Sequence, residues 1–277
     1  MNDELRIHVT KPRFKISWES PRHLLLSGGF NSLKKDYAPI GHFTVEITSS
    51  VPNRFGIQHV LTGMEREDKK ESTKIVWKKK LGLGSMTYAF KGALTTFEKS
   101  YQDLLASEVE GRLKTLILPT TPEISQRLFD FLDRWIKCGS YTVYGGYKDA
   151  LRGEGAGCAD FAMACFQLAT GYQLEDWCVN LSIPKKLVGD DHHQVSLAHL
   201  FLSSHWEDPG KKIKLKTADT DLAFEWIKQR SGEKQDFIYT DHLQRPFEMK
   251  VPEFTFQHHT EKSDEEIWKT ICSPYKL

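Results

Sequence analysis

The sequence lacks any long run of apolar residues. No window approaches the roughly 18 apolar residues that a membrane-spanning helix needs, and the opening segment MNDELRIHVTKPRFK has no apolar signal core. We therefore expect no transmembrane segment. At face value the chain is predicted to be cytoplasmic, and the alternative is an exported protein whose signal peptide is missing from this chain.

Cysteine is scarce and unpaired. The chain contains 5 cysteines and no CxxC motif, a pattern that argues against a disulfide framework and against a zinc ribbon. His192, His193 and His199 lie near Asp190 and Asp191 in the sequence, but their spacing is not diagnostic of metal ligands. We interpret that stretch as a solvated loop, and we expect neither a metal nor a cofactor.

The sequence also lacks an excess of charge of either sign. A formal net charge of +1 gives no global field to attract a polyanion, so we expect no nucleic-acid partner. There is no G-x-S-x-G elbow of a serine hydrolase, and GEGAGC is neither a P-loop nor a dinucleotide fingerprint. With 39% hydrophobic and 12% aromatic residues, the 277 residues can form one main globular domain.

Two neighbouring strands are predicted in the first quarter of the chain. In HFTVEI, which begins at His42, apolar and polar residues alternate with the period of a half-buried strand. After the turn SSVPNR, the run FGIQHVLTG is predicted to be its antiparallel partner, with Gln58 and His59 near the middle. The stretch STKIVWKKKLGLG, residues 72–84, is predicted to be a third strand.

The clearest helix signal follows a short apolar strand in LKTLILPTTPEISQRLFDFLDRWIKCG. Thr121 is a suitable N-cap and Pro122 a suitable first helical residue. Apolar residues then recur on one stripe as far as Trp135, and Gly139 is expected to end the helix.

The remainder of the chain shows weaker patterns. SLAHLFLSSHW predicts a short helix, and DTDLAFEWIKQRSG predicts a capped one. We therefore predict a core over residues 1–171 and an extension over residues 172–277, packed on that core within the same domain.

A glycine-rich loop leads into a helix that carries a cysteine in its first turn, in RGEGAGCADFAMACFQLATG. The positive end of a helix dipole stabilises a thiolate, so the ordinary thiol pKa of about 8.5 is expected to be lowered at Cys158. The same unpaired N–H groups can hold a developing oxyanion. The alternative is that the glycines only form a turn and that Cys158 packs as a small apolar residue, on the inward face it shares with Cys165.

The order of these motifs resembles the circularly permuted NlpC/P60-like branch of the papain-like fold, especially the YiiX/YaeF-type proteins. In that branch the histidine strand precedes the cysteine helix, as IGHFTVEI precedes GCADFAMACFQLATG here. The resemblance spans roughly residues 38–171. It implies an α+β fold in which an antiparallel papain-like sheet packs against the cysteine-bearing helix, with a C-terminal extension.

The resemblance also implies roles for individual residues. It makes Cys158 the nucleophile and His42 the base that takes its proton. The residue that orients the imidazole falls on the second strand, where His59 or Gln58 fits and where YiiX-type proteins carry a glutamate. Glu46, on the His42 strand, is a further alternative.

Tyr144 matches a loop position at which a hydroxyl borders the active site, although it fits equally well as an aromatic lid over the core. The resemblance implies a thiol hydrolase or acyl transferase that acts on amide or ester bonds, in a cell-wall peptide or a lipid acyl substrate, through an acyl-enzyme. The alternative is a non-catalytic peptide- or lipid-binding protein on the same fold.

Overall fold

The computed structural model describes residues 2–32, 41–68, 75, 79–145, 148–190, 192–207, 210–230 and 263–272. These residues form a mixed α+β structure with antiparallel sheets and seven α-helices, which confirms the predicted α+β class. The strands are β1 (Glu4–Thr10), β2 (His42–Thr48), β3 (His59–Thr62), β4 (Met64–Arg66), β5 (Phe90–Leu94), β6 (Leu113–Pro119), β7 (Val143–Tyr144), β8 (Cys178–Pro184) and β9 (Lys212–Ala218). The helices are α1 (Pro21–Ser32), α2 (Phe97–Val109), α3 (Pro122–Lys137), α4 (Cys158–Thr170), α5 (Leu197–Leu202), α6 (Thr220–Arg230) and α7 (Asp264–Ile271).

The main sheet has four antiparallel strands in the order β3-β2-β1-β6. The alternation in HFTVEI buries Phe43, Val45 and Ile47 on the core face of β2. The predicted pairing of β2 with the following strand is confirmed: Thr48 lies opposite His59, and Val45 opposite Thr62.

Helices cover both faces of this sheet. On the core face, α3 and α4 pack against each other, and α4 also packs against β2 and β1. Helix α3 begins and ends as predicted: the Thr121 hydroxyl accepts a hydrogen bond from the Ile124 amide (3.4 Å), Pro122 is the first helical residue, and Gly139 follows with φ 68°. On the other face, α2 packs against β3, β6 and β1.

The chain leaves the main sheet at Gly63, between β3 and β4. A Cβ at this position would lie 2.8 Å from the Phe43 carbonyl oxygen, so only glycine fits so close to β2. From there β4 pairs with β5, and β5 pairs with β7, in a three-stranded sheet. This second sheet carries Tyr144, opposite Phe90.

The region after residue 171 supplies part of the main core. Trp177 and Trp268 are fully buried in the same apolar cluster as Phe43, and Phe224 joins them. A second apolar cluster lies between the antiparallel β8–β9 ribbon and α5, around Ile183, Leu200 and Leu215.

The expected third strand over residues 72–84 is wrong for its described part. Leu83–Met86 form a 3₁₀ turn, and residue 75 is helical. The physical reason lies in the glycines: Gly82 has φ 53°, and a Cβ on Gly84 would lie 2.1 Å from the Gly189 carbonyl oxygen. The chain therefore turns here against a neighbouring loop, and residues 72–74 and 76–78 lie outside the described residues.

No helix among the described residues is both long enough and apolar enough to cross a membrane.

Candidate functional site

The loop before α4 is fixed to β7, and this fixes the position of Cys158. The Ala156 amide donates to the Val143 carbonyl oxygen (3.1 Å). Gly155 has φ 99°, and a Cβ there would lie 2.5 Å from that same carbonyl oxygen. The glycine thus allows the loop to lie directly on β7, and α4 then begins at Cys158, as the sequence predicted.

The Cys158 thiol points into the protein and has three hydrogen-bonding neighbours, one of which is the amide of Ala159, the next residue in the chain. The side chain of Cys158 belongs to the main core and the residue is 7% exposed. The Tyr144 hydroxyl donates to Sγ at 3.8 Å, and the Phe43 amide also hydrogen-bonds to the sulfur. The Phe43 amide lies beyond the part of β2 that pairs with β3, although Phe43 still lies opposite Val9 of β1.

His42 directly precedes Phe43, so the sulfur contacts β2 at the peptide that joins these two residues. The alternation of β2 directs the His42 side chain to the face opposite that of Phe43. Its Nε2 atom lies 3.3 Å from the place of a Cβ on Gly63. The structure therefore brings together Cys158, Tyr144 and the backbone of the His42 strand, at the point where the two sheets separate.

The environment of the thiol differs from the sequence-based expectation. Burial raises the pKa of Cys158, and the hydrogen bonds from the Phe43 amide and the Tyr144 hydroxyl offset this rise only in part. The helix N-terminus was expected to lower the pKa of Cys158. Removal of the sulfur from water has the larger effect and raises this pKa instead. Burial also raises the pKa of Tyr144 well above its ordinary value, so its hydroxyl is a neutral donor.

Two of the candidate orienting residues are bonded to each other. His59 Nε2 lies 2.9 Å from Glu46 Oε1, and the other oxygen of Glu46 lies 3.0 Å from His8 Nε2. These bonds, together with Arg6, hold the pKa of Glu46 far below its ordinary value, although burial opposes them. Both oxygens of the Glu46 carboxylate are therefore engaged within this network.

The network lies between the main sheet and α2. The Phe97 ring at the start of α2 meets the His59 ring edge-on, with 5.7 Å between the ring centroids. Gln58, the remaining candidate, donates its side-chain amide to the Ser50 carbonyl oxygen (2.9 Å). His8 was not a candidate from sequence, since its strand, ELRIHVT, was not among the predicted strands.

A cleft of about 440 Å³ runs along α4 on the side of the β8–β9 ribbon. Asp160, Met163 and Gln167 form one wall of it, and Cys178 and Lys216 form part of the other. Asp160 Oδ2 accepts a hydrogen bond from the Gly157 amide (3.3 Å), as suits an acid in the first turn. Burial nevertheless raises the pKa of Asp160 to about 7. The ribbon residues that line the cleft could not be identified from the sequence.

The histidine-rich loop is held by a local turn. Asp190 Oδ1 accepts hydrogen bonds from the amides of His192 and His193, each at 2.8 Å. Asp191 lies outside the described residues. Among those that are described, no group of three or more His, Cys, Asp or Glu side chains is arranged to hold a metal ion.

No protein-family model, no curated protein and no solved structure matches this chain.

Proposed function

We propose that the protein is a thiol hydrolase or acyl transferase on a circularly permuted, papain-like NlpC/P60-like core. In this proposal Cys158 is the nucleophile and His42 is the base. The observation that carries it is the position of the Cys158 sulfur: it lies at the N-terminus of α4, against the Tyr144 hydroxyl and the strand peptide next to His42. Acyl transfer by a thiol needs a base within hydrogen-bond reach of the sulfur, and His42 is proposed as that base because it directly precedes the peptide that the sulfur contacts.

The raised pKa of Cys158 favours general-base activation over a preformed thiolate. The sulfur attacks the carbonyl carbon of an amide or ester while its proton passes to an imidazole nitrogen of His42. The imidazolium then protonates the leaving amine or alcohol, and a thioester to Cys158 remains. Water or an acceptor amine gives up a proton to His42, attacks this thioester, and releases the thiol.

Tyr144 is proposed to stabilise the oxyanion of the tetrahedral intermediate. Its hydroxyl already lies at the sulfur as a neutral donor, so it can turn to the carbonyl oxygen as negative charge develops there. The Ala159 amide, in the first turn of α4, also hydrogen-bonds to the sulfur and can act in the same direction.

His59 and Glu46 are proposed to act as positioning residues. Their bond joins β3 to β2, the strand that carries His42, and it leaves neither oxygen of Glu46 without a partner. Their effect on the reaction is therefore exerted through the backbone of β2.

The second candidate is a non-catalytic protein that binds a peptide or an acyl lipid. It is favoured by the neutral, buried state of the Cys158 thiol and by a cleft that is large enough for a small ligand. In that case Cys158 is a core residue, and replacing it by Ala leaves ligand affinity unchanged.

Acylation by p-nitrophenyl acetate tests the catalytic proposal. We expect intact-mass and peptide analysis to find the acetyl group on Cys158. His42→Ala should slow this acylation by about 10²- to 10⁴-fold, the usual contribution of a general base. The Cys138→Ser variant is the matched control, because it removes a more accessible thiol at the end of α3, outside the cleft, and it should leave acetylation of Cys158 unchanged.

Label distributed over the accessible thiols, with no dependence on His42, would support the binding protein instead. Peptidoglycan fragments and acyl-lipid reporters, with Cys158→Ala as the blank, then identify the substrate class.

A further inference from the structure

The β8–β9 ribbon has one face inside the protein and one outside. Leu181, Ile183 and Leu215 point inward to the second apolar cluster. Along β9 the alternate residues Lys212, Lys214 and Lys216 point the other way and are exposed. Successive lysines are therefore about 6.8 Å apart along a strand whose inner face is fixed by packing.

The strand opposite these lysines offers no counter-charge. Lys214 lies opposite Ser182, Lys216 opposite Asn180, and Lys212 opposite Pro184. Residues 178–186 and 210–218 contain no Asp or Glu, but they contain six lysines: Lys185, Lys186, Lys211, Lys212, Lys214 and Lys216. We call these six residues the lysine face.

The far end of the ribbon concentrates this charge. The Lys185 amide donates to the Lys211 carbonyl oxygen (2.8 Å), so the turn after β8 and the start of β9 lie together. At the near end, Lys216 pairs with Glu175 at 2.5 Å. Since the whole chain has a formal net charge of only +1, the rest of the protein is net negative, and the lysine face is a local concentration of positive charge.

The residue types around the lysine face favour an anionic membrane over a nucleic acid as its partner. Residues 178–186 and 210–218 contain no arginine and no aromatic residue. Nucleic-acid surfaces rely on arginine for bidentate contacts and on aromatic rings for base stacking. Lysine is a compact point charge that suits attraction to an anionic bilayer, which acts only within about a Debye length of the surface.

We propose that the lysine face docks the protein on the surface of an anionic membrane. The outer side of the ribbon presents its lysines in a row to the lipid headgroups, while its inner side remains packed in the protein. Docking is reversible and depends on salt, because no apolar residue of this face enters the bilayer.

Vesicle co-sedimentation of the full chain tests this proposal. We expect binding to vesicles of phosphatidylcholine with about one third phosphatidylglycerol, little binding to phosphatidylcholine alone, and release at high salt. The triple change Lys212→Gln, Lys214→Gln and Lys216→Gln should weaken the binding about a hundredfold, since each basic residue near such a surface contributes about 1 kcal/mol.

A matched control removes three exposed lysines elsewhere, by Lys137→Gln, Lys228→Gln and Lys269→Gln, each on a different helix. This variant should bind the anionic vesicles like the unchanged protein. An equal loss of vesicle binding in both triple variants would show that only the net charge matters, and this would overturn the proposal. The proposal would also be overturned by equal binding to neutral and anionic vesicles, or by binding to duplex DNA without binding to anionic vesicles.

The test is independent of the proposed chemistry. Cys158→Ser leaves the lysine face intact, and the expected result is full vesicle binding by this variant, whether or not it transfers acyl groups.

Discussion

At the scale of single residues, Glu46 shows how strongly partners can outweigh burial. Its side chain is only 15% exposed, which by itself favours the neutral acid, yet two histidines and Arg6 hold its pKa far below the ordinary range. The sequence placed Glu46 and His59 on neighbouring strands, and the register of β2 and β3 then brings them together. The third partner, His8, belongs to β1, and no local pattern near Glu46 indicates it.

The carboxylate of Glu46 should stabilise the fold in a pH-dependent way. A depressed pKa means that its contribution is complete above the ordinary glutamate pKa, near 4.3, and is lost as the pH falls toward the folded-state value. We expect Glu46→Gln to lower the free energy of unfolding by about 2 kcal/mol at pH 7. The gap between variant and unchanged protein should narrow below about pH 5.

Urea unfolding at pH 7, 5 and 3 measures this gap. Glu225→Gln is the control, because Glu225 is exposed and has a surface partner, Lys228. A gap for Glu46→Gln that stayed constant down to pH 3 would contradict the assigned role.

At the scale of elements, helix α3 and helix α4 were predictable, and the reason is local. Each has its boundary residues and its apolar stripe within the segment itself, such as Thr121 and Gly139 for α3. The strands β1 and β9 were not among the predicted strands, although β9 alternates lysine with apolar residues, which is the pattern of a half-buried strand. The contact of Tyr144 with Cys158 depends on the thirteen residues that separate them in the chain, and no sequence periodicity there specifies the path.

Gly155 should be essential to that loop. Gly155→Ala places a Cβ against the Val143 carbonyl oxygen and also imposes φ 99° on alanine. We expect a loss of about 3 kcal/mol in unfolding free energy, from backbone strain and overpacking together. The separation of Tyr144 from Cys158 should also slow acylation of Cys158.

Gly111→Ala separates these two causes. Gly111 has φ 66°, but a Cβ there meets nothing within 4 Å, so only the strain of the left-handed conformation applies, about 1 kcal/mol. Thermal unfolding measures both variants. Equal losses of unfolding free energy would show that the contact with the Val143 carbonyl oxygen is unimportant.

At the scale of the whole molecule, the core is built from both ends of the chain. Trp177, Phe224 and Trp268 pack in the cluster that holds Leu5 and Phe43. The predicted division at residue 171 marks a change in the clarity of the sequence patterns, because aromatic residues spaced far apart give no periodic signal even when they share a core. The α+β class could be predicted from the sequence. The packing of these C-terminal aromatic residues into the main core could not.

A fragment of residues 1–171 is therefore expected not to fold by itself. It lacks Trp177, Phe224, Ile227, Trp268 and Ile271, whose burial contributes about 1.5 to 3 kcal/mol each. The total loss, about 8 to 15 kcal/mol, is as large as the whole stability of a typical domain, about 5 to 15 kcal/mol. Near-ultraviolet circular dichroism should show no fixed aromatic environment, and a sharp cooperative unfolding transition of the fragment would contradict this expectation.

The enclosure of Cys158 has a consequence for the chemical lifetime of the protein. Peroxide oxidises exposed thiolates, and a neutral sulfur with 7% exposure beneath a tyrosine is a poor target for it. An oxidant from solvent reaches more exposed thiols before it reaches Cys158. The more exposed thiols are those of Cys138, Cys178 and Cys272. These three thiols would therefore be oxidised first, and Cys158 would remain reduced for longer under oxidative stress.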